Sequence, residues 1–538
     1  MIHLGPILGF RGITANNWNV SILLVTAPSD SPPVKCPAAT ITGPVVLKSC
    51  TGRIKGKNET RKAVRFELAV PITPAEQTIP YEVDGQRFEF AVPAHGQPTR
   101  LAYASCNGFS SAAAASAYRT EPEKNERWQH VLARHQGKDD LAKLKDEGGW
   151  KSGAFHLLLM GGDQVYGDAI FEVGQIKEWD TSWWEFWKPD KTDAPFTPTM
   201  AKEAADFYFN QTYVARWSQP TVAAVMARIP TLMMWDDHDI FDGWGSREKE
   251  LQDCAVYQGI FGVAREHFEI FQRHTAPGKA APGMIPGVNG FSWGFHLGRL
   301  AILAPDMRSE RTQYQVIGQD SWKAMYDWLD ALATLPPTQR PAHLLFLSSI
   351  PVIYPSLRNV EAALAAIPGE QELEDDLRDH WCSRLHYGEQ CRLVRRLFDF
   401  AKKANCRVTI LSGDVHVAAF GRVTSTLPEH GDGAHAARIN QLISSAIVHT
   451  PPSLAQAFFI DHIIAGDPPA LESGINAEML EIPGTGSRLH ASRNWLDLAL
   501  DSDPMTPPRL WANWWFEDED TAPATRVIHP PGVENGNA

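Results

Sequence analysis

The sequence has few cysteines and no pattern that would pair them. Its 538 residues include seven cysteines, an odd number, and no CxxC motif occurs. A disulfide framework is therefore not expected, and the composition is typical of a reducing compartment. The opening residues, MIHLGPILGFRG, lack the charged start and apolar core of a signal peptide. We expect a cytoplasmic protein, with a secreted mature form that has lost its signal as the alternative.

Two further absences limit the classes of function. No apolar run approaches 18 residues, so no membrane span is expected. The net charge is −13 and no block of Lys and Arg stands out, which argues against electrostatic binding of duplex nucleic acid. With 43% hydrophobic and 21% charged residues, the chain has the composition of a globular protein with a large core. Nothing in the composition indicates an oligomeric state.

Two kinds of pattern divide the chain. Residues 1–97 contain short strand-like runs separated by Pro, Gly and Asn, which predicts a small N-terminal β-sandwich domain. Residues 98–520 alternate apolar strands with helical stretches, which predicts an α/β main domain (α+β in some schemes). An aromatic insertion at about 171–220 interrupts it, and packing is favoured there over a substrate-facing lid. Residues 521–538 are expected to form a loose C-terminal tail.

Several strand-like runs of the main domain end on residues that bind metal ions. These residues are Cys106, Asp163, Asp237 and Asp414. Ligands in open α/β sheets lie outside the carboxyl ends of the strands, so we expect these side chains to converge. Carboxylates at the end of a buried strand are costly to desolvate unless a metal or a hydrogen-bond network offsets their charge. The pattern therefore predicts one metal centre.

Neighbouring residues extend this prediction to two ions. Tyr166 lies three residues after Asp163, so one turn can present both to a single ion, and His416 lies two residues after Asp414. A carboxylate can bridge two cations, which suits a site where the ions polarise phosphoryl oxygens and activate a bridging water. His238 then lies beside the site as a proton donor to a leaving alkoxide.

Three short motifs occur in an order that is known from one family. GDQVY, WDDHD and SGDVH follow a strand that ends in ASC. In this combination they resemble the alkaline phosphatase D-like (PhoD-like) group of calcineurin-like metallophosphoesterases, over roughly residues 99–450. The resemblance implies a four-layer metallophosphoesterase sandwich of two mixed sheets flanked by helices, preceded by a small all-β sandwich domain.

The resemblance also implies a role for each motif residue. Asp163 would bridge two metal ions, and His238 would be the catalytic acid. The first ion would be completed by Cys106, Tyr166 and His416, and the second by Asp237 and Asp414. A thiolate and a phenolate on one ion favour Fe³⁺, and oxygen donors on the other favour Ca²⁺. Related enzymes use other divalent ions, such as Zn²⁺, Mn²⁺ or Mg²⁺.

Two residues near the motifs are candidates for contact with substrate. The segment DMRSER at 306–311 resembles the family's DTRxYR segment. Arg308 is the candidate to grip substrate phosphate, because its guanidinium fork matches phosphate oxygens. The alternative for Arg308 is a salt bridge with Asp306. Asn107, next to the first strand end, is the second candidate for substrate contact.

Other polar residues of the region are expected to have supporting roles. The strand before the last motif ends in Ser348 and Ser349, where many relatives have a histidine, so the second ion is expected to have fewer protein ligands. Four carboxyls are expected to orient ligands or cap turns: Asp168, Asp236, Asp239 and Asp242. Four histidines are interpreted as core or surface residues: His156, His343, His380 and His386.

These expectations define a metal-dependent hydrolase of small-molecule phosphate esters. A metal-bound hydroxide would attack phosphorus in line, and His238 would protonate the leaving oxygen. One alternative is a phosphodiesterase acting on lipid or nucleotide diesters, since the aromatic insertion favours a larger, partly apolar substrate. The alternative of another class is a binding module on the same fold without turnover. The near-complete ligand set speaks against that alternative.

Overall fold

The computed structural model describes residues 1–54, 56–138, 153–179, 192–355, 380–431, 437–453, 471–501, 507–518 and 522–532. Over these ranges the chain forms a ten-stranded sheet, an eight-stranded sheet and a three-stranded sheet. The WWEFW stretch of the aromatic insertion, at 183–187, lies outside the described residues.

The strands follow the apolar runs of the sequence. In chain order they are β1 (Ile2–Thr14), β2 (Asn17–Thr26), β3 (Val34–Lys35), β4 (Thr40–Ile54), β5 (Lys57–Pro71), β6 (Gln77–Val83), β7 (Gln86–Val92), β8 (Leu101–Ala104), β9 (Leu157–Gly161), β10 (Thr231–Met234), β11 (Trp293–Leu297), β12 (Leu300–Ala304), β13 (His343–Ser348), β14 (Arg407–Ser412), β15 (Ala418–Ser425), β16 (Ala437–Ser444), β17 (Ile475–Leu480), β18 (Leu489–His490), β19 (Asn494–Leu500), β20 (Leu510–Phe516) and β21 (Ala524–Ile528).

The helices fall mainly between the strands of the main domain. They are α1 (Ala112–Ala115), α2 (Glu121–Lys124), α3 (Glu126–His135), α4 (Pro198–Asp206), α5 (Ala215–Trp217), α6 (Pro220–Met226), α7 (Lys249–Gln252), α8 (Ala255–Phe271), α9 (Gln319–Thr334) and α10 (Tyr387–Ala404). A π-helical segment, Phe207–Val214, joins α4 to α5. None of the helices in the described ranges is long and apolar enough to span a bilayer.

Both large sheets have a parallel centre. The ten-stranded sheet has the order β21-β20-β19-β8-β9-β10-β1-β2-β5-β4, and β8, β9, β10 and β1 run parallel. The eight-stranded sheet has the order β11-β12-β13-β14-β16-β15-β17, with β18 beside β15, and β12, β13, β14 and β16 run parallel. The parallel strands place their carboxyl ends along one edge of each sheet.

The central strands are buried on both faces, which explains their unbroken apolar sequence. On β9, Leu157 and Leu159 belong to the core between the two large sheets, whereas Leu158 and Met160 pack with α3 and α6 outside the sheet. On the other side, Leu344 of β13 packs with α9 and α10. The layers are therefore helix, sheet, sheet and helix. The predicted four-layer α/β fold of two mixed sheets is confirmed.

The β-rich N-terminal region extends the ten-stranded sheet. β1 pairs in parallel with β10 at Gly9 and Thr231, and β2, β5 and β4 continue the sheet in antiparallel pairs. The three-stranded sheet of β3, β6 and β7 packs on this extension, since Ile79 and Phe90 share a core with Trp18. Strands β1, β2, β4 and β5 of residues 1–97 are therefore hydrogen-bonded into the main sheet. That these residues form a separate domain stays a prediction.

The C-terminal region adds three strands to the opposite edge of this sheet. β19 pairs with β8 and with β20. β21 then pairs with β20 as the edge strand. The expectation of a loose tail after residue 520 was therefore wrong for Ala524–Ile528. Thr525, Val527 and Ile528 have β-branched side chains, which favour an extended edge strand.

Aromatic residues on either side of residues 180–191 pack against the loop after β10. Trp179 and Tyr208 are buried in one cluster with Trp235 and Trp244. The Tyr208 hydroxyl donates a hydrogen bond to the carbonyl oxygen of Ile240. The described flanks of the insertion therefore support the WDDHD loop, which agrees with the packing interpretation.

The buried histidine of α8 predicts an acid-dependent loss of stability. Burial lowers the pKa of His267 from 6.5 to about 4. Because the unfolded chain binds this proton near pH 6.5 and the folded chain binds it only near pH 4, the free energy of unfolding falls as pH falls between these values. Replacing His267 with phenylalanine is expected to remove about 2 kcal/mol of the loss between pH 7 and pH 5.

Urea unfolding at both pH values measures this difference. The matched control is His95→Gln, because His95 is exposed, and it is expected to leave the pH dependence as in the unchanged chain. An unaltered pH dependence in the His267→Phe variant would contradict the assignment of a neutral, buried imidazole.

Candidate metal centre

The carboxyl ends of the two large sheets meet at one edge of the molecule. The Ser105 hydroxyl, after β8, donates to the Ser444 carbonyl at the end of β16, at 2.9 Å. The Gly413 amide, after β14, donates to the Ser349 carbonyl after β13, at 3.1 Å. The first bond joins loops of the two sheets, and the second joins neighbouring loops of the eight-stranded sheet. The predicted site residues lie on these loops and on those after β9 and β10.

The loops turn sharply as soon as the strands end. Four predicted site residues have left-handed backbone conformations: Cys106 (φ 54°), Asp163 (φ 53°), Asp414 (φ 73°) and His416 (φ 53°). Such conformations are costly for residues with a Cβ atom and are concentrated at functional sites. Gly162 has a φ of 113°, and a Cβ there would lie 3.0 Å from the Asp236 Cβ. A glycine at 162 therefore lets the loops after β9 and β10 approach closely.

Three carboxylates from different loops come together at this edge. Oxygens of Asp163, Asp236 and Asp414 lie within 4.8 Å of one another. Burial, together with the neighbouring carboxylates, raises the pKa of Asp163 well above its usual value. Burial also raises the pKa of Asp236 to about 7. A cation between the carboxylates would stabilise their ionised forms.

Asp236, rather than its neighbour Asp237, completes this group. The Asp237 carboxylate belongs to a second group, within 4.8 Å of ligating atoms of His238 and Asp242. Asp237 Oδ2 accepts a hydrogen bond from the Gly243 amide at 2.8 Å. The assignment of Asp237 to the second ion stays a prediction, and the positions of the carboxylates favour Asp236 in that role.

Buried oxygens around the group lack partners. Within the described ranges, Asp163 Oδ1, Asp236 Oδ2 and the Tyr166 hydroxyl are buried without a hydrogen bond. Buried polar atoms are normally paired, so a ligand bound here would satisfy them. Carboxylate and phenolate oxygens are donors that hard cations prefer. The residues of this edge therefore fit a metal centre.

Cys106 and His416 border the carboxylates. Cys106 Sγ lies 3.5 Å from Asp163 Oδ2 and 3.0 Å from Ser445 Oγ. The ring of His416 stacks on that of His449, with centroids 3.8 Å apart. Burial raises the pKa of the Cys106 thiol and lowers the pKa of His416, and a neutral imidazole is the form that binds metals. The structure thus brings both residues to the site, while their ligation stays a prediction.

His238 is held in place by a carboxylate. Its Nδ1 lies 2.9 Å from Asp168 Oδ1, and Asp168 is fixed in turn by the Asp242 amide at 2.7 Å. Burial lowers the pKa of His238, but the carboxylates of Asp168 and Asp237 outweigh burial and raise the pKa well above its usual value. Because Nδ1 is used by Asp168, Nε2 is the nitrogen that can offer a proton to a ligand.

Asp239 joins the loops after β9 and β10. Its Oδ1 accepts hydrogen bonds from the amides of Gln164 and Val165 at 3.1 and 3.2 Å and from the Gln272 side chain at 2.8 Å. Its Oδ2 accepts from the Asp236 amide at 2.9 Å. Asp239 therefore fixes the Asp236 backbone against the loop after β9, which is the orienting role expected of this carboxyl.

Arg308 pairs with two carboxylates of the WDDHD loop. Its guanidinium is fully buried, donates from Nε to Asp236 Oδ1 and lies 3.3 Å from Asp237 Oδ1. The backbone amide of Arg308 donates to Asp306 Oδ1 at 2.9 Å, and the guanidinium forms ion pairs with Asp236 and Asp237. The geometry shows Arg308 fixing Asp236 and Asp237 of the WDDHD loop, and a grip on substrate phosphate stays a prediction.

Both the oxygen and the nitrogen of the Asn107 side-chain amide form hydrogen bonds. Its Oδ1 accepts hydrogen bonds from Trp128 Nε1 at 2.8 Å and from the Arg216 guanidinium at 2.6 Å. Its Nδ2 donates to the Gln164 carbonyl at 3.2 Å. This network fixes the loop after β8 to the loop after β9. The geometry therefore supports a structural role, and contact of Asn107 with substrate stays a prediction.

Two residues for which the sequence predicted no site role lie beside the grouped residues. They are His380 and Ser445. His380 Nε2 lies 3.0 Å from Asp414 Oδ2, and Ser445 Oγ contacts both Cys106 and the His416 amide. Ser445 follows β16 and was open to the same strand-end argument as the other residues. His380 lies in the polar stretch EDDLRDHW, which contains no strand-like apolar run, so no signal in the sequence linked it to the site.

Comparison with known proteins gives a matching family. The pattern of the family described as PhoD related phosphatase matches residues 76–368 and 363–460. An uncharacterised protein of Saccharomyces cerevisiae, YGR266W, is 26% identical over 532 residues, which covers 83% of this chain and 72% of the yeast protein. The family match includes the loops that carry Cys106, Asp163, Asp236 and Asp414.

A solved structure has a similar fold. The structure of PhoD aligns with a TM-score of 0.52 over 96% of this chain and 88% of that chain. The sequence identity is 12%, so this likeness bears on the fold alone. It agrees with the arrangement of two large mixed sheets flanked by helices.

Proposed function

The chain belongs to the PhoD related phosphatase family, and from this premise we propose that it hydrolyses phosphoric esters at the edge where its two large sheets meet. The observation that carries the proposal is the convergence of Asp163, Asp236 and Asp414, whose oxygens lie within 4.8 Å of one another. A buried cluster of acids is unfavourable by itself, so its arrangement supports a site for cations.

The donor set supports two kinds of ion. Cys106 and Tyr166 would hold an ion that accepts a thiolate and a phenolate, for which we propose Fe³⁺. The carboxylates would hold a hard divalent ion, for which we propose Ca²⁺, with Asp163 shared between the two. Cations bound in this way supply charge stabilisation for phosphoryl oxygens and lower the pKa of a bound water.

The protein's own residues supply a proton and orientation. We propose that His238 offers the proton on Nε2 to the leaving oxygen of the ester, while Asp168 holds Nδ1 at 2.9 Å. The ring of Tyr166, 4.5 Å from that of His238, limits its rotation. Arg308 keeps the WDDHD loop in shape by pairing with Asp236 and Asp237.

The substrate is proposed to be a small phosphate ester, with monoesters and diesters as the two candidates. The described aromatic flanks of the insertion are buried against the WDDHD loop. The aromatic composition of the insertion as a whole favours an ester with an apolar or larger organic group, which a diester has on both sides of phosphorus. We therefore place phosphodiesters beside monoesters as substrates to be tested.

Metal removal tests the proposal. Dialysis against a chelator is expected to abolish release of p-nitrophenol from both p-nitrophenyl phosphate and bis-p-nitrophenyl phosphate, and added metal is expected to restore it. The ratio of the two rates assigns the enzyme to monoesters or diesters. The proposal fails if the purified, metal-supplemented protein hydrolyses neither ester, or if thorough chelation leaves the rates unchanged.

A further inference from the structure

One histidine lies directly behind the metal centre. His380 is buried, and its Nε2 lies 3.0 Å from Asp414 Oδ2. Asp414 is one of the three grouped carboxylates. A carboxylate has two oxygens, and a hydrogen bond to one of them fixes the direction in which the other points. His380 is therefore placed to decide how Asp414 faces the site.

The main chain around His380 is held by the core rather than by the site. Trp381 is fully buried among the residues of α9 and α10, and its Nε1 donates to Ser348 Oγ at 3.2 Å. The His380 carbonyl accepts from the Ser383 amide at 3.1 Å. The Tyr354 ring stands edge-on to the imidazole, with centroids 5.4 Å apart. These contacts fix the imidazole independently of any bound ion.

The hydrogen bond from Trp381 to Ser348 ties the neighbourhood of His380 to the end of β13. Ser348 ends β13, and the two serines at this strand end, Ser348 and Ser349, led to the expectation of fewer protein ligands on the second ion. Because Trp381 bonds to Ser348, the neighbouring His380 brings an imidazole to this strand end from a distant part of the chain. The imidazole reaches Asp414 in the loop after β14, the next strand of the sheet.

We propose that His380 is a positioning residue of the metal centre, which donates a hydrogen bond from Nε2 to Asp414 Oδ2 and leaves the other oxygen of Asp414 to the cation. This proposal rests on the proposed function, since it assumes that the carboxylates bind metal. Residues that orient a metal ligand typically contribute 10- to 100-fold to metal affinity. His380 acts through Asp414 and has no contact with the reacting atoms in this scheme.

Metal affinity of paired variants tests the proposal. A glutamine at 380 carries an N–H near the position of Nε2, whereas an asparagine carries its N–H near Nδ1 and an alanine has none. Competition with a chelator is expected to show one ion released about 10- to 100-fold more readily from His380→Ala and His380→Asn. His380→Gln is expected to retain that ion nearly as the unchanged protein does.

A buried histidine remote from the site supplies the control. His343 starts β13, and its Nε2 bonds to the Pro508 carbonyl at 2.8 Å. His343→Gln is expected to leave metal release unchanged, and thermal unfolding of the metal-free proteins shows whether each variant folds. If His380→Ala does not fold, the comparison of His380→Asn with His380→Gln carries the test.

Two results would overturn the positioning role. One is metal release from His380→Ala or His380→Asn that equals that of the unchanged protein. The other is an equally large loss from His380→Gln, because a retained donor should preserve the bond to Asp414. Failure of the proposed function looks different, since the unchanged protein would then bind no metal at all.

Discussion

Replacing Asp163 with asparagine is expected to lower kcat/KM for phosphate ester hydrolysis by about 1,000-fold or more, because the charge that holds the cations is lost. Asp163 is almost completely buried and belongs to the carboxylate group with Asp236 and Asp414. Asparagine has nearly the same shape and tolerates the left-handed backbone of this position, so the fold should be preserved. Steady-state kinetics and metal content, measured on the same preparation, check the prediction.

An aspartate outside the site provides the matched control. Asp84 is exposed and also has a left-handed backbone, with a φ of 50°. Asp84→Asn is expected to leave both the rate and the metal content unchanged. Full metal content in Asp163→Asn with an unchanged rate would remove Asp163 from the centre of the site.

Replacing His238 with alanine is expected to lower turnover by about 100- to 10,000-fold on esters with poor leaving groups. Alkyl phosphates need a proton on the departing oxygen, whereas p-nitrophenolate leaves without one. The loss on p-nitrophenyl esters should therefore be much smaller. A plot of log kcat against the pKa of the leaving group should be steeper for the variant than for the unchanged enzyme.

Asp168, which pairs with His238, gives a second variant that tests proton donation by His238. Asp168→Asn keeps a partner for Nδ1 but removes the charge that favours the imidazolium. Its losses should lie between those of the unchanged enzyme and His238→Ala, with the same dependence on the leaving group. Equal losses on alkyl and p-nitrophenyl esters in His238→Ala would argue against proton donation and for a role in binding.

Much of the fold could be predicted because the strands are buried on both faces. Runs such as Leu157–Gly161 and His343–Ser348 stand out from the helices by their unbroken apolar sequence. Because parallel strands share one edge for their carboxyl ends, the sequence also predicts that Cys106, Asp163 and Asp414 lie together. The edge strand Ala524–Ile528 was missed, because five residues that come soon after the acidic stretch EDED give a weak signal, and the strand forms by pairing with β20.

The division of roles between adjacent residues depends on details that a sequence pattern does not contain. Asp236 and Asp237 are neighbours, and the turn after β10 decides which carboxylate faces Asp163. That turn is set by the hydrogen bond from the Asp236 amide to the Asp239 carboxylate and by the tertiary contact of Arg308 with Asp236. The ion pairs of Arg308 with Asp236 and Asp237 could not be predicted from the motif either, because they join distant parts of the chain.

Long-range placement is the second limit. His380 lies between β13 and α10, and nothing in its surroundings in the sequence resembles a motif. Its position beside Asp414 follows from the burial of Trp381 in the core under α9 and α10. Strand-end arguments find residues that leave the sheet directly, and they miss a residue that packing brings in from a distant connection.

Elemental analysis of the purified protein tests the central claim most directly. The convergence of acids, thiol and phenol at the meeting edge of the two sheets predicts roughly two metal ions per chain, with iron among them. Asp163→Asn prepared in parallel is expected to retain less metal, while Asp84→Asn retains as much as the unchanged protein. A folded protein that contains no metal, and binds none when iron and calcium are supplied, would contradict the account.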